Sequence, residues 1–242
     1  MIDLHCHVLP GIDDGPATIE GSLALAKAAA AAGTHTIVAT SHVSWRYQND
    51  AVTIARLTAG LNERLARESV AVEVRTGAEI AMTHVVDLDP AQLSSLGLGG
   101  GPWLLIEPPF IATATGFDVL VLELMRRGHR VVIAHPERCP AFHFDPSMLV
   151  SLVSAGALTS ITAGSLVGRF GERVRRFVLG LASEGMIHNV ASDAHDHIKR
   201  PPGMAAEIER ARLGPLTEWL TQDVPAAILA GEEAIPPRPA VR

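Results

Sequence analysis

Short apolar runs typical of β-strands alternate with longer segments of helical pattern along nearly the whole chain. The strand-like runs cover residues 2–7, 35–40, 71–78, 103–107, 130–134, 158–162 and 187–191. The helix-like segments cover residues 19–32, 51–68, 116–127, 146–155, 167–184 and 202–213. This alternation predicts a parallel sheet, because a crossover helix carries the chain from the end of one strand to the start of the next.

The number of these units distinguishes between two α/β architectures. About seven units favour closure into a TIM-type barrel, while an open, doubly wound sheet is the alternative. The chain has 242 residues, of which 48% are hydrophobic, enough for one large core. We predict a single α/β domain over residues 1–230 and a C-terminal tail, 231–242, whose prolines cannot join regular structure.

Charge and composition argue against several classes of protein. The net charge of -6, without a basic stripe, disfavours nucleic-acid binding. No signal peptide is recognisable, and the longest apolar stretch, 23–32, is interrupted by Lys27 and too short to cross a bilayer. Two cysteines make a disulfide framework improbable. We therefore expect a cytoplasmic protein that does not insert into membranes.

The chain opens with MIDLHCHVLPGIDDGP, in which residues with ligand-type side chains are crowded together. His5 and His7 are two residues apart, so on a strand both rings face one side and Cys6 faces the other. Two imidazoles near the end of a strand form half of a divalent-metal site, although a pair of core or surface histidines is the alternative. Asp13 and Asp14, taken alone, would be ordinary turn residues.

Ligand-type residues also follow the other strand-like runs. The opening residues His5, His7 and Asp14 are joined in this pattern by His42, Glu79, Glu107, His135, Asp193 and His195. The carboxyl ends of barrel strands converge on one face, so these nine side chains are expected to meet there. Imidazole and carboxylate without thiolate suit manganese, iron or zinc. The set is large enough for two or three ions bridged by a carboxylate such as Glu79, an arrangement typical of phosphoester hydrolysis.

Two arginines lie beside the ligand loops. Arg138 follows His135, and Arg200 follows the turn that carries Asp193 and His195. A guanidinium can bind phosphate through two hydrogen bonds, although a surface salt bridge is the commoner role of a single arginine. The remaining histidines have weaker context: we expect structural or solvent-facing roles for His35, His84, His129, His143 and His188, and an outer-shell role for His197.

Cysteine-based catalysis can be tested directly from spacing. A cysteine phosphatase needs an arginine six residues after its cysteine, but Ile12 follows Cys6 and Asp145 follows Cys139 at that distance. The sequence also lacks a GxSxG elbow and a Walker loop. Metal-dependent chemistry is therefore the better interpretation.

Seven motifs in order along residues 1–203 resemble one known family. They are MIDLHCHVLPGIDDGP, TSHVSWRY, GAEI, LLIEP, IAHPER, ITAGSLVGRFG and ASDAH followed by RPPG. Together they resemble the PHP-type metal-dependent protein-tyrosine phosphatases, the CpsB/CapC/YwqE-like enzymes of bacterial capsule and exopolysaccharide operons. The resemblance implies a distorted β/α barrel of the PHP superfamily with a trinuclear centre, usually described with manganese.

The resemblance also implies roles for individual residues. One ion would be held by His5, His7, Glu79 and Asp193, a second by Glu79, Glu107 and His135, and a third by Asp14, His42 and His195. Arg138 and Arg200 match the family's phosphate-binding arginines. The chain departs from many relatives at Val43, where they carry a second histidine or a basic residue, and Trp45, Arg46 and Tyr47 are expected to shape the mouth of the site.

The expected activity is direct hydrolysis of phosphotyrosine by metal-bound hydroxide, with the tail of a cognate bacterial tyrosine kinase as the implied substrate. One alternative is a PHP phosphatase for a small phosphoester such as histidinol phosphate, against which the GIDDG opening argues. Another is a non-catalytic, metal-binding regulatory subunit of a kinase system. The sequence leaves open the native metal, the oligomeric state and the identity of any general acid.

Overall fold

The computed structural model describes residues 1–240 and contains nine strand segments and eleven α-helices. The strands are β1 (Ile2–Cys6), β2 (Thr36–Ala39), β3 (His42–Val43), β4 (Glu73–Thr76), β5 (Glu79–Ala81), β6 (Trp103–Glu107), β7 (Arg130–Ala134), β8 (Leu158–Thr162) and β9 (Asn189–Ala191). The helices are α1 (Ile19–Ala31), α2 (Ala51–Arg67), α3 (Met82–Val85), α4 (Pro90–Ser95), α5 (Phe117–Arg126), α6 (Pro140–Phe144), α7 (Ser147–Ser154), α8 (Ala163–Leu166), α9 (Glu172–Ser183), α10 (Ala205–Arg210) and α11 (Val224–Leu229).

All strand pairs are parallel, and together they close a distorted barrel. One sheet has the order β1-β2-β4 and the other β3-β5-β6-β7-β8-β9. Because β2 and β3 are consecutive parts of one strand position, as are β4 and β5, the two sheets are continuous. The remaining gap closes between β1 and β9, where the Asp193 N–H donates to the His5 carbonyl (2.8 Å) and the His7 N–H donates to the Ala194 carbonyl (2.9 Å). The predicted barrel of seven strand positions is confirmed, and the doubly wound alternative is wrong.

A side chain from α2 completes the free edge of β4. Within residues 1–240 β4 pairs only with β2, since β5 takes over the pairing with β6. The Asn62 Nδ2 donates to the Val74 carbonyl (2.7 Å), and the Val74 N–H donates to Asn62 Oδ1 (2.9 Å). This amide therefore replaces the missing neighbouring strand, as buried backbone groups require a partner.

Prediction and structure differ mainly where helices begin. The strands predicted over 103–107, 130–134 and 158–162 are found at those bounds. The helix predicted over 167–184 begins only at Glu172, after Gly171, whose φ of 93° lies outside the helical region. The short helices α3, α4, α6 and α8 and the C-terminal α11 were not predicted.

The C-terminal part of the chain covers the end of the barrel opposite the ligand-type residues. A π-helical turn, Trp219–Asp223, places Gln222 3.0 Å from His35, just before β2. The first residues of β6 and β7 bind the segment after α11: Trp103 Nε1 donates to the Glu232 carbonyl (3.3 Å) and Arg130 Nη1 to the Glu233 carbonyl (2.7 Å). This segment, through residue 240, has no regular structure.

The domain limits stay a prediction, and the last two residues of the predicted tail, 241 and 242, lie outside the described part of the chain. No helix within residues 1–240 has the length and apolar character needed to span a bilayer.

Candidate metal centre

The carboxyl ends of the strands surround a small, polar cavity of about 140 Å³. Its lining consists of Asp14, His42, Glu79, Glu107, Phe110, His135, Arg138, Asp193, His195 and Arg200. His5 and His7 are buried and lie in contact with Glu79 and Asp193. The structure thus brings all nine predicted ligands and both predicted arginines into one place.

The two histidines of β1 lie side by side, with their Nε2 atoms 3.3 Å apart, while Cys6 between them is fully buried on the other face. Asp13 orients His7: its Oδ2 lies 2.9 Å from His7 Nδ1 and also accepts the His42 N–H (3.1 Å). Burial opposes a charge on His7, but the carboxylates of Asp13 and Glu79 beside the ring raise its pKa to about 9. With Nδ1 paired to a carboxylate, Nε2 is left to bind a cation.

Asp13 is the residue that sequence reasoning missed. Taken alone, the sequence predicts an ordinary turn residue beside Asp14, yet the Asp13 carboxylate contacts both the ring of His7 and the backbone of His42. The neighbouring Gly15 allows this, since a Cβ at that position would collide with the His7 carbonyl. A doubled aspartate followed by glycine, next to an HxH pair, is the signal that could have revealed the role.

Glu79 lies at the centre of the site. Its Oε1 is 2.7 Å from His135 Nε2, and its Oε2 is 3.0 Å from His42 Nδ1 and 3.3 Å from His7 Nε2. The Oε2 atom is buried and accepts no well-aligned hydrogen bond. An unpaired buried carboxylate oxygen is costly. A cation bound between this oxygen and the ring nitrogens would remove that cost, so the residues present fit a metal ion.

The ligand atoms form four overlapping groups, each within 4.8 Å. They are His5, His7 and Asp193; His5, Glu79 and His135; His42, Glu79 and Glu107; and His7, Asp14, His42 and His195. These groups differ in several details from the sets implied by the resemblance; Glu79 and His135, for example, group with His5. His7 joins the third set. Glu107 groups with His42, and the Oε1 atom of Glu107 is 3.7 Å from His135 Nε2. The donor set of nitrogen and oxygen atoms suits several divalent ions bridged by Glu79; the individual ligand roles stay predictions.

Asp193 connects the histidines to the arginines. Its Oδ2 accepts hydrogen bonds from Arg138 Nη1 (2.6 Å) and Arg200 Nη2 (2.7 Å), while Oδ1 lies 3.6 Å from the Nε2 atoms of both His5 and His7. Burial alone would raise the pKa of Asp193, but His5 and the two guanidinium groups hold it well below its usual range. The carboxylate is therefore charged whenever the site is assembled.

Two predicted ligands occupy strained backbone positions at the ends of their strands. His135 follows β7 with a φ of 29°, and Asp193 follows β9 with a φ of 49°. Such values are unfavourable for residues with a Cβ and persist where the surroundings enforce them, most often at functional sites.

The carboxyl and imidazole groups of this site lie so close together that their pKa values are shifted. Burial and the nearby Glu79 raise the pKa of Glu107 to about 8. Burial, followed by the charge of Arg138, lowers the pKa of His135 to about 4. Hydrogen bonds from His195 and His42 hold the pKa of Asp14 far below its usual range. Glu107 thus resists ionisation because a second carboxyl group lies beside it. A divalent cation bound next to the two groups would offset their repulsion.

Aromatic rings surround Arg138. Its guanidinium carbon lies 5.0 Å from the centre of the Phe110 ring and 4.5 Å from that of Phe170. Of the segment expected to shape the mouth, Tyr47 stacks on His42 (5.5 Å between ring centres). Trp45 instead packs edge-on against His84 and lines a separate cavity of about 500 Å³.

The weaker histidines lie apart from the cavity. His35 is held near Gln222, His143 stacks on Phe177, and His188 binds Thr159. His197 is exposed and, within the described chain, makes no hydrogen bond to the site, so its outer-shell role stays an untested prediction.

Comparison with known proteins identifies the family of the chain. The model of the family "Capsular polysaccharide synthesis, CpsB/CapC" matches residues 1–215. The tyrosine-protein phosphatase YwqE of Bacillus subtilis is 40% identical over 197 residues, 81% of this chain and 78% of YwqE. The tyrosine-protein phosphatase CpsB of Streptococcus pneumoniae is 28% identical over 212 residues, 84% of this chain and 86% of CpsB.

Solved structures agree with this assignment. A crystal structure from a pair that comprises YwqE of Bacillus subtilis and CpsB of Streptococcus pneumoniae matches with a TM-score of 0.88 and 35% identity, over 100% of both chains. Those two proteins are described as unique metal-dependent tyrosine phosphatases. Dihydropyrimidinase from Brevibacillus agri matches with a TM-score of 0.57 and 13% identity, over 98% of this chain and 73% of its own, which shows a shared fold alone. The chain belongs to the CpsB/CapC family of capsular polysaccharide synthesis proteins.

Proposed function

We propose that this chain is a metal-dependent protein-tyrosine phosphatase. The observation that carries the proposal is a cavity in which seven of the predicted ligands, with His5 and His7 buried against them, adjoin two guanidinium groups. The names of the relatives and of the full-length structural match support the same activity. We expect the ligands to be His5, His7, Asp14, His42, Glu79, Glu107, His135, Asp193 and His195.

The metal ions, with Mn²⁺ as our expectation and iron or zinc as alternatives, would neutralise phosphate charge and lower the pKa of a coordinated water. Arg138 and Arg200 would bind the phosphate. Both already donate to Asp193 at the edge of the cavity, and both remain partly accessible. An incoming phosphate can share or take over these charge-assisted bonds, and the same donors then stabilise the charge that spreads over the phosphoryl oxygens in the transition state.

The chain needs no covalent phosphoenzyme for this reaction. Cys6 and Cys139 are buried, and burial raises the pKa of both thiols, so neither presents a thiolate nucleophile. The tyrosine side chain leaves as a phenolate whose pKa is about 10, so a strong general acid is not required. The leaving-group pKa therefore favours an aryl phosphate over an alkyl phosphate, whose alkoxide needs protonation to leave.

We further propose that the substrate is a phosphotyrosine-bearing protein in the cytoplasm, namely the cognate tyrosine kinase of a capsule or exopolysaccharide system. The family to which the chain belongs is defined by capsular polysaccharide synthesis.

The experiment that tests the proposal compares two substrates on one preparation. Hydrolysis of a phosphotyrosyl peptide and of histidinol phosphate is measured with added Mn²⁺ and again with a chelator. We expect chelator-sensitive turnover with a higher kcat/KM for the peptide. A higher kcat/KM for histidinol phosphate would overturn the substrate assignment, and metal-loaded protein that turns over neither would overturn the activity in favour of a regulatory role.

A further inference from the structure

The cavity at the metal centre is too small to enclose a whole phosphorylated side chain. Its volume of about 140 Å³ is well below the roughly 300–1,000 Å³ of pockets that enclose a whole small-molecule ligand. A phosphate bound by Arg138 would fill much of it, so the group esterified to the phosphate would lie at the mouth. Within the described chain, Phe110 is the one apolar residue among the ten that line this cavity.

The Phe110 ring is fixed on its inner side. It stacks on the imidazole of His135, with 5.4 Å between ring centres, and the Arg138 guanidinium carbon lies 5.0 Å from the ring centre. The backbone before it is stiffened by Pro108 and Pro109, whose φ angles are restricted. The Cys139 thiol donates a hydrogen bond to the Pro109 carbonyl (3.3 Å), which ties this loop to the segment that carries Arg138.

The ring is nevertheless 48% exposed. Since Phe110 lines the cavity and contacts His135 and Arg138 within it, we place the exposed part of the ring at the mouth. A phosphate bound by Arg138 would bring the first atoms beyond its ester oxygen within reach of this ring. In an aryl phosphate those atoms are an aromatic ring, which can pack offset or edge-on against phenylalanine, whereas in an alkyl phosphate they are a single methylene.

We propose that Phe110 is a specificity-determining residue that selects aryl over alkyl phosphates by packing against the ring attached to the phosphate. This inference rests on the proposed function, because it places the phosphate at Arg138. It assigns the chemical class of the substrate to one side chain of the site, separate from the metal ligands.

The test is a binding measurement that does not depend on turnover. The affinities of phenylphosphonate and methylphosphonate, which carry the same anionic head, are measured by calorimetry on the manganese-loaded protein. Wild type, Phe110→Ala and Phe110→Leu are compared, with Phe144→Ala as control. Phe144 is also an exposed phenylalanine next to an arginine, Arg173, but it does not line the cavity.

We expect wild type and Phe144→Ala to bind phenylphosphonate about tenfold more tightly than methylphosphonate. Phe110→Ala should lose this ratio while its affinity for methylphosphonate stays within about threefold, and Phe110→Leu should lie between. The kcat/KM for a phosphotyrosyl peptide should fall by about tenfold in Phe110→Ala.

Two results would overturn the proposal. An unchanged ratio in Phe110→Ala would mean that the ring does not meet the ligand. An equal loss of affinity for both phosphonates would mean that Phe110 only positions Arg138 and His135. Failure of the proposed function looks different, since the phosphonate preference could then be present in protein that hydrolyses no phosphotyrosine.

Discussion

At the scale of single residues, the site depends on side chains that satisfy each other only in part. One oxygen of Asp193 accepts hydrogen bonds from two arginines, and the other faces the histidines of β1. Glu79 has one oxygen beside His135, while its other, buried oxygen accepts no well-aligned hydrogen bond. Buried polar networks are stable when every member is satisfied. The unsatisfied positions therefore identify where a cation, and next to it a phosphate, would complete the network.

The arginine geometry gives a prediction for phosphate binding. Arg138→Lys replaces a planar guanidinium, held between Phe110 and Phe170, by a compact ammonium that cannot bind two phosphate oxygens at once. We expect kcat/KM for a phosphotyrosyl peptide to fall by about 10–100-fold, the loss typical of a charged hydrogen bond. Bound metal, measured by elemental analysis, should not change.

Arg173→Lys is the matched control, since Arg173 also lies over a phenylalanine ring, at 5.0 Å, but away from the cavity. Equal rates in Arg138→Lys and wild type would exclude Arg138 from phosphate binding.

The position of Glu79 gives a prediction for metal binding. Glu79→Gln keeps the shape of the side chain but removes the charge that faces His7, His42 and His135. We expect bound metal to fall by at least one ion per chain and activity to fall by more than the roughly 100-fold that loss of an outer-shell partner causes. Glu73→Gln, at the exposed start of β4, should retain both. Full metal content and activity in Glu79→Gln would contradict a bridging role.

At the scale of secondary-structure elements, the sequence predicted what local patterns determine. Apolar runs bounded by turns defined the strands, and the ligand-type residues after them were recognised because parallel strands end on one face. The short helices α3 and α6 span only four and five residues, too few for a periodic pattern. The role of Asp13 has only a weak signal in the sequence, the aspartate pair followed by glycine, because its contacts to His7 and to the His42 N–H form only once the loop after β1 packs against the start of β3.

The edge of β4 gives a prediction for stability. Asn62→Ala removes the amide that pairs both backbone groups of Val74. We expect the free energy of unfolding to fall by about 1–3 kcal/mol, because a partly buried donor and acceptor are left unpaired. The midpoint of urea denaturation measures this, and kcat should stay unchanged, because Val74 lies in β4, before the strand position reaches the site residue Glu79 at the start of β5. Glu63→Gln, an exposed substitution one residue along α2, should alter the midpoint little; an equal effect would refute the argument.

The contact between β8 and the segment before β9 gives a prediction for pH. The Thr159 N–H donates to His188 Nδ1 (3.2 Å), which requires that nitrogen to be unprotonated. Burial, followed by the charge of Arg238, lowers the pKa of His188 to about 4. Between about pH 4 and the ordinary histidine value of about 6.5, the unfolded chain then binds more protons than the folded one, so stability rises with pH in this window and is constant above it.

The corresponding variant is His188→Asn, whose side-chain oxygen can still accept the Thr159 N–H. We expect the free energy of unfolding of wild type to lose up to about 3 kcal/mol from this group between pH 7 and pH 4, and the variant to show a shallower slope. Identical slopes would show that His188 is charged in the folded protein.

At the scale of the whole molecule, the contacts that close the barrel and the residues of the site lie at opposite ends of the strands. The C-terminal segment seals the end where β6 and β7 begin, through Trp103 and Arg130. The opposite end collects the polar residues, and the strands between them are buried on both faces. Loss of substrate-binding groups at one end can therefore leave the fold intact, which is why the variants above separate metal content, phosphate binding and unfolding.

The measurement that tests the central claim most directly is a titration of Mn²⁺ into metal-free protein, in which bound metal and hydrolysis of a phosphotyrosyl peptide are followed together. We expect turnover to appear only as metal binds, to vanish with a chelator and to return when Mn²⁺ is added back. The melting temperature should rise over the same range, because a ligand that binds only the folded state stabilises it. Turnover by metal-free protein, or fully loaded protein without turnover, would contradict the account.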